Sequence, residues 1–152
     1  MMTYCTTSKD KVKKHGEVFT PAGTVFEMVM RSEVRDALTD IDKLIFDPAI
    51  GQGQFPCAEL VLKLFYNLDR LDDELALRAL KSLYGMDIQS VNVDSARVHL
   101  LYTIKAAYKF FTGRDFEKID EAIWIIRRNI IVGDSLEFMS EMAARKQGLL
   151  FT

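Results

Sequence analysis

Three acidic residues that could bind a ligand each stand at the end of a short apolar run. They are Asp47 after Leu44-Ile45-Phe46, Asp87 after Ser82-Leu83-Tyr84-Gly85-Met86, and Asp134 after Ile130-Ile131-Val132-Gly133. Runs with this ending are typical of buried parallel strands, whose carboxyl ends meet at one edge of a sheet. A carboxylate only accepts hydrogen bonds, so acids at that edge suit a ligand with hydroxyl, ammonium or amine donors. The pattern predicts one shared crevice.

The first acid leads directly into a turn with two glycines, in the stretch Asp47-Pro48-Ala49-Ile50-Gly51-Gln52-Gly53-Gln54-Phe55. Gly51 and Gly53 can adopt positive φ, and without a Cβ they let a ligand approach the backbone closely. The exposed amides of such a turn and of the following helix N-terminus favour acceptor groups of a ligand. A cradle for a nucleotide-like cofactor is one interpretation of this stretch, and an ordinary strand-to-helix turn is the other.

Longer strings surround these acids and also precede them. They are G-E-x-F-T-P at 16–21, D-P-A-x-G-x-G-x-F at 47–55, Y-G-x-D-I at 84–88 with V-x-x-A-R-x-x-L at 93–100, and N-I-x-x-G-D-S-L at 129–136. Together they resemble the cofactor-binding strings of the adenine-specific DNA methyltransferases. Two departures are Ile50, where the family has Cys or a small residue, and Val93, which falls slightly later than usual. Several strings in the right order arise by chance far less often than one.

The resemblance implies S-adenosylmethionine as the cofactor and gives roles to the matching positions. These would be Thr20 and Pro21 at the methionine end, Gly51 and Gly53 as the close-approach loop, Asp47 at the amino group, Asp87 at the ribose, and Ile88 and Asp134 at the adenine. The same strings carry Ala49, Phe55, Ser135 and Leu136 into the expected site.

Local structure offers an alternative for each of three polar residues in this set. Thr20 can cap a helix that Pro21 begins, because Pro suits the first helical turn. Asp87 can be a plain acid at a strand end. Asp134 can cap a helix over 135–145.

The string that would hold the methyl acceptor is missing. In the resembled family an Asn/Asp-Pro-Pro-Tyr/Phe string holds the target amine and stacks on the flipped base. The prolines here are Pro21, Pro48 and Pro56, and no two are adjacent. We therefore expect no catalytic residue in this chain, which would be a truncated or split methyltransferase, or one completed by a partner chain that brings DNA. The alternative is an inactive remnant that binds cofactor or protein as a regulator or decoy.

A nicotinamide-dependent dehydrogenase is disfavoured, because the third glycine and a Tyr-Lys or His catalytic pair are missing.

The chain has 152 residues, enough for one domain. We expect an α/β fold: a partial, Rossmann-like class I methyltransferase domain over 16–152, with three α/β/α layers, after a flexible basic tail over 1–15. The apolar periodicity and end signals predict helices over 32–40, 55–68, 72–81, from Asn92 or Asp94 to Gly113, 115–127 and 135–145. Without a fourth strand, the first strand would be an exposed edge that invites pairing with a second chain, unless residues 149–151 cover it.

Composition limits the remaining function classes. The net charge of −2 means that any contact with DNA is local. Cys5 and Cys57 lack metal-ligand spacing and fit a reducing cytoplasm. No apolar run is long enough for a membrane span. We expect neither metal nor membrane binding, and the resemblance implies the cytoplasm of a bacterium or of a phage-infected bacterium. Arg97 and His99 lack a nearby nucleophile partner, so they are predicted to be surface or cross-linking groups and not catalytic ones. Four aromatic residues could stack on bases, but their spacing favours a place in the core: Tyr102, Tyr108, Phe110 and Phe111.

Overall fold

The computed structural model describes residues 21–150, except the side chains of Ser32 and of residues 146–150. In chain order the elements are α1 (Ala22–Val29), α2 (Ser32–Thr39), β1 (Ile45–Asp47), α3 (Gln54–Tyr66), a 3₁₀ turn (Leu68–Arg70), α4 (Asp73–Lys81), β2 (Leu83–Asp87), α5 (Ser90–Thr112), α6 (Ile119–Asn129), β3 (Ile130–Val132) and α7 (Ser135–Leu150). The tail over 1–15 and Thr20 lie outside the described residues.

The described strands form one parallel sheet in the order β1-β2-β3. Ile45 pairs with Leu83, and Gly85 pairs with Ile130. Because each strand is followed by helices before the next parallel strand, the connections are crossovers. The predicted α/β fold with a short parallel sheet is confirmed, and it is compatible with part of a Rossmann-like fold. β1 lies at one edge of the described sheet, as predicted.

Helices cover both faces of the sheet. Ile45 packs against the main cluster of buried side chains, which includes Leu60 of α3 and Leu100 of α5. Successive strand residues point to opposite faces, so Phe46 points the other way. On that face its ring meets Phe138 of α7, with ring centroids 5.9 Å apart. α7 therefore crosses from the end of β3 to β1 on the face opposite α3 and α5, which agrees with three layers.

Several element ends follow the sequence signals. Asp72 caps α4 by accepting a hydrogen bond from the Leu75 amide at 2.8 Å. Gly113, at φ 71°, ends α5 in the left-handed conformation that glycine adopts without strain.

Two predicted helix starts are wrong. α5 begins at Ser90 with Gln89 at its N-cap, so Asn92 and Asp94 lie inside the helix. α6 begins at Ile119 and not at 115, because residues 115–118 continue the connection from α5. In that connection Phe116 is still buried, and packs its ring against Tyr108 at a centroid distance of 5.5 Å.

The prediction that four aromatic side chains of α5 are core is correct only in part. Tyr108 is buried and Phe111 is half-buried. Tyr102 is 71% exposed and Phe110 is 84% exposed, because the C-terminal half of the long helix is covered on one side only. No helix within residues 21–150 has both the length and the apolar character that crossing a membrane requires.

Candidate functional site

The glycine turn after β1 has the backbone geometry that its sequence predicts. Gly51 has φ 54° and Gly53 has φ 86°, both in the left-handed region. Gly53 is the N-cap residue of α3, and its carbonyl accepts the Cys57 amide at 3.0 Å. A Cβ on Gly51 would meet nothing within 4 Å, so the space above this residue is open to a ligand.

Ile50, the departure from the resembled family, is accommodated by the neighbouring strand. Its side chain is buried, and its amide donates to the Met86 carbonyl at 3.0 Å. A Cβ on Gly85 would come within 2.3 Å of Ile50 Cδ1. The larger side chain at position 50 therefore occupies the space that glycine leaves on β2.

Gly53 also fixes the approach of α3 to α5. A Cβ on Gly53 would lie 3.1 Å from both the Cα and the Cβ of Ala96. We expect Gly53→Ala to lower the free energy of unfolding by about 2 kcal/mol, because alanine is strained at this φ and also presses on α5. Urea unfolding would measure the loss. Gly23→Ala in α1 is the matched control, since Gly23 has a negative φ and open space around its Cα, and it should be neutral or stabilising. Equal stability of the two variants would contradict the expected constraint.

Asp87 joins the ends of β1 and β2. Its Oδ2 accepts a hydrogen bond from the Gly51 amide at 3.0 Å. Its Oδ1 accepts from the Gln89 amide at 2.8 Å and from Asn92 Nδ2 at 3.3 Å. A carboxylate has about four lone-pair sites, so this arrangement leaves Asp87 able to accept one more donor. Two residues from different predicted motifs are thus in direct contact.

Asp47 lies beside this contact. Its Oδ1 accepts the Ala49 amide at 3.0 Å, which shapes the start of the turn. Burial raises the pKa of Asp47, the Ala49 hydrogen bond opposes that effect, and the charge of Asp87 raises the pKa further. The charge of Asp87 therefore reaches Asp47 at the carboxyl ends of β1 and β2.

The end of β3 is hydrogen-bonded to the end of β2, whereas Asp134, the acid after β3, hydrogen-bonds to the start of the helix that follows it. The Gly133 amide donates to the Asp87 carbonyl at 3.0 Å. Asp134 Oδ1 accepts from the Leu136 amide at 2.9 Å and from the Glu137 amide at 3.4 Å. Asp134 thus caps α7, as the local alternative predicts. It remains exposed, so capping does not close it to a ligand.

The remaining predicted site residues differ in how exposed their side chains are. Ile88 is 70% exposed at the end of β2, where an apolar side chain is open to a flat ligand. Ala49, Pro21 and Leu136 are exposed, and Ser135 is half-buried. Phe55 is half-buried and packs against the cluster that α1 and α2 form with α3.

Arg97 and His99 link separate elements, which is one of the two roles predicted for them. Arg97 Nε and Nη2 donate to the Ile130 carbonyl at 2.9 and 2.7 Å, which ties α5 to β3. His99 Nδ1 lies 2.7 Å from the Gln52 carbonyl and so holds the glycine turn against α5. Cys57 is a free thiol, and burial raises its pKa to about 11.

Sequence reasoning missed two ionisable residues of α3, Glu59 and Lys63. Both are buried, at 7% and 0% exposure. Burial and the charge of Asp47 raise the pKa of Glu59 to about 7. Burial lowers the pKa of Lys63 to about 8, against the charges of Asp40, Glu59 and Asp42. The available signal was that both charges, four residues apart, interrupt an otherwise apolar helix.

A cavity elsewhere does not belong to this site. It is lined by the start of α4 and by the C-terminal end of α5, including Asp73, Tyr108 and Arg114. α5 begins beside the carboxyl end of β2 and runs for 23 residues. At 1.5 Å per residue its last turn lies about 30 Å away from its first. Within the part of the chain that the structure describes, no group of His, Cys, Asp and Glu is arranged to hold a metal ion.

In comparisons with known proteins, no family model, no curated protein and no solved structure matches this chain.

Proposed function

We propose that this chain is the S-adenosylmethionine-binding part of an adenine-specific DNA methyltransferase. The observation that carries the proposal is the hydrogen bond from the Gly51 amide to the Asp87 carboxylate. It brings the glycine turn of one string into contact with the acid of another, at the carboxyl ends of parallel strands. Ligands of open α/β sheets bind at that edge.

The residues present fit an adenosine-bearing ligand. Asp87 has acceptor capacity left for ribose hydroxyls, and Ile88 next to it is exposed and apolar. Asp134 is an exposed acceptor at the end of β3, which suits the exocyclic amine of an adenine. The open space above Gly51 gives the ligand room beside the backbone. When bound, S-adenosylmethionine would supply an electrophilic methyl group on its sulfonium.

This chain would orient the methyl donor, and DNA with its contacts would come from elsewhere. The Asn/Asp-Pro-Pro-Tyr/Phe string that would hold the methyl acceptor is missing, because no two prolines of the sequence are adjacent. The β1 edge gives a second polypeptide segment a place to attach, because Leu44 is 66% exposed and Phe46 is 40% exposed there. Unpaired strand edges with apolar side chains readily add a further strand.

Ligand-dependent stabilisation of the purified chain tests the proposal. S-adenosylmethionine and S-adenosylhomocysteine at about 100 times Kd should each add about 2.7 kcal/mol, or roughly 5–10 °C in Tm. A nicotinamide dinucleotide should add nothing, since the turn lacks a third glycine. Stabilisation by the dinucleotide alone would overturn the proposal.

An inactive cofactor- or protein-binding role is the second candidate, and the exposed β1 edge favours it. Incubating the chain with methyl donor and DNA tests whether the acceptor site lies in this polypeptide. We expect no methylation, and methylation by the chain alone would contradict the assignment of the acceptor site to another segment.

A further inference from the structure

Two large aromatic side chains project into solvent from neighbouring helices. Tyr102 of α5 is 71% exposed and Trp124 of α6 is 61% exposed. The opposite faces of these helices are buried in the main core cluster, for example through Ile104 of α5 and Ile125 of α6. The fold therefore does not use the two rings. Apolar side chains exposed singly are common on protein surfaces, but two on adjacent helices indicate an interaction surface.

The two exposed rings stand side by side, because α5 and α6 run in opposite directions. Arg97, early in α5, donates to the carbonyl of Ile130, just after the end of α6, at 2.7 Å. Tyr108, late in α5, packs its ring against Phe116, which precedes α6. The exposed rings lie between these two contacts, at about the same level along both helices. The axes of packed helices are about 8–10 Å apart, which sets the spacing of the rings across the surface.

The charged residues of the same two segments are all positive. The sequence has no acid between Asp94 and Asp115, or between Glu121 and Asp134. The basic residues inside these two limits are Arg97, Lys105, Lys109, Arg114, Arg127 and Arg128. The whole chain has a net charge of −2, so this part of the surface is a local concentration of positive charge. Its charge is complementary to that of a polyanion.

The cations lie next to the rings. The Arg128 guanidinium stacks on the Trp124 ring, with its central carbon 4.9 Å from the ring centroid. Lys105 is exposed one turn after Tyr102. Phe110 is 84% exposed and lies about 12 Å further along the helix than Tyr102, at 1.5 Å per residue. Rings and cations therefore alternate on this surface, as bases and phosphates do along a nucleic-acid strand.

We propose that the outer surface of α5 and α6 binds single-stranded nucleic acid. Tyr102 and Trp124 stack on bases. Lys105, Arg127 and Arg128 contact phosphates. Stacking needs bases whose faces are open, which an unpaired strand provides and a duplex does not. This inference goes beyond the proposed function and does not rest on it, because the surface lies on the outer side of the helices and not at the carboxyl ends of the strands.

The emission of Trp124 gives a direct test, since it is the single tryptophan of the chain. Titrating the full chain with oligo(dT) of about 12 nucleotides should quench this emission to saturation. The anisotropy of the labelled oligonucleotide gives its Kd. With about three phosphates contacted, the affinity should fall about 20-fold between 50 and 200 mM salt. The duplex of oligo(dT) with oligo(dA) should leave the emission unchanged, because its bases stack on one another.

Variants with matched controls separate stacking from charge. Tyr102→Ala should weaken the binding of oligo(dT) about tenfold. Phe26→Ala removes a ring of α1 that is 45% exposed, and it should bind like the wild type. Arg127→Gln should reduce the salt slope by about 0.7, whereas Arg35→Gln on α2 should not change it. α1 and α2 pack on α3, away from α6, and the side chains changed in all four variants are exposed, so each variant is expected to fold.

Three results would overturn the inference. The first is no binding of oligo(dT) at 50 mM salt. The second is binding that leaves the Trp124 emission unchanged, which would place the contact elsewhere, for example at the lysines between residues 9 and 14. The third is equal affinity for an oligo-glutamate of the same charge, which would make an acidic protein the better partner. Stabilisation by S-adenosylhomocysteine should be the same in all four variants, so the proposed function is tested separately.

Discussion

Asp87→Ala is expected to weaken the binding of S-adenosylhomocysteine about 100-fold. A hydrogen bond to a charged group contributes roughly 1.5–3 kcal/mol, and the carboxylate would serve both the ribose and the Gly51 amide. Removing it would take away the proposed ribose acceptor and also release the glycine turn, so the ligand would have to order the turn as it binds. Calorimetric titration at pH 7.5 measures the change.

Asp94→Ala is the matched control for this substitution. Asp94 also lies near the start of α5, but it is exposed and its ion pair with Arg97, at 3.7 Å, is long. Exposed pairs of this kind contribute little, so this variant should bind like the wild type. Asp87→Asn should fall between the two, because its single side-chain oxygen can keep one of the existing contacts. Wild-type affinity in Asp87→Ala would remove the carboxylate from the site.

Lys63→Met is expected to lower the free energy of unfolding by about 3 kcal/mol, or roughly 10 °C in Tm. Methionine keeps most of the apolar stem, so the change isolates the ammonium, whose three N–H donors are shared among four acceptors. The carbonyls of Asp40, Ile41 and Lys43 and the Ser82 hydroxyl would lose their shared donor. These acceptors belong to the segment before β1 and to Ser82, just before β2, so the loss of their donor would loosen the start of the sheet. Urea unfolding at pH 7 provides the measurement.

Lys105→Met, on the exposed side of α5, is the matched control and should change stability by less than about 0.5 kcal/mol. A Lys63→Met variant as stable as this control would mean that desolvation of the ammonium already cancels its hydrogen bonds. The lowered pKa of Lys63, about 8, shows that this opposing effect is present in the wild type.

Features with a local cause were predictable from the sequence. The three strands, the left-handed glycines at 51, 53 and 113, and the Asp72 cap each follow from a few neighbouring residues. The start of α6 was not predictable in this way, because the apolar spacing that includes Phe116 continues through a connection that is not helical. Phe116 is buried because of Tyr108, which lies on another helix.

The chain by itself determined that acids would stand at strand ends beside a glycine turn, since apolar runs and turn residues specify strands and turns over short distances. Only the tertiary structure decided which of these groups meet. The bond from Gly51 to Asp87 spans 36 residues, and the four acceptors of Lys63 come from 19 to 23 residues away. The burial of Glu59 and Lys63 likewise depends on how α3 packs against its neighbours. Charge, burial and hydrogen bonding act through space, so the state of these side chains is defined only once the helices and the sheet have packed together.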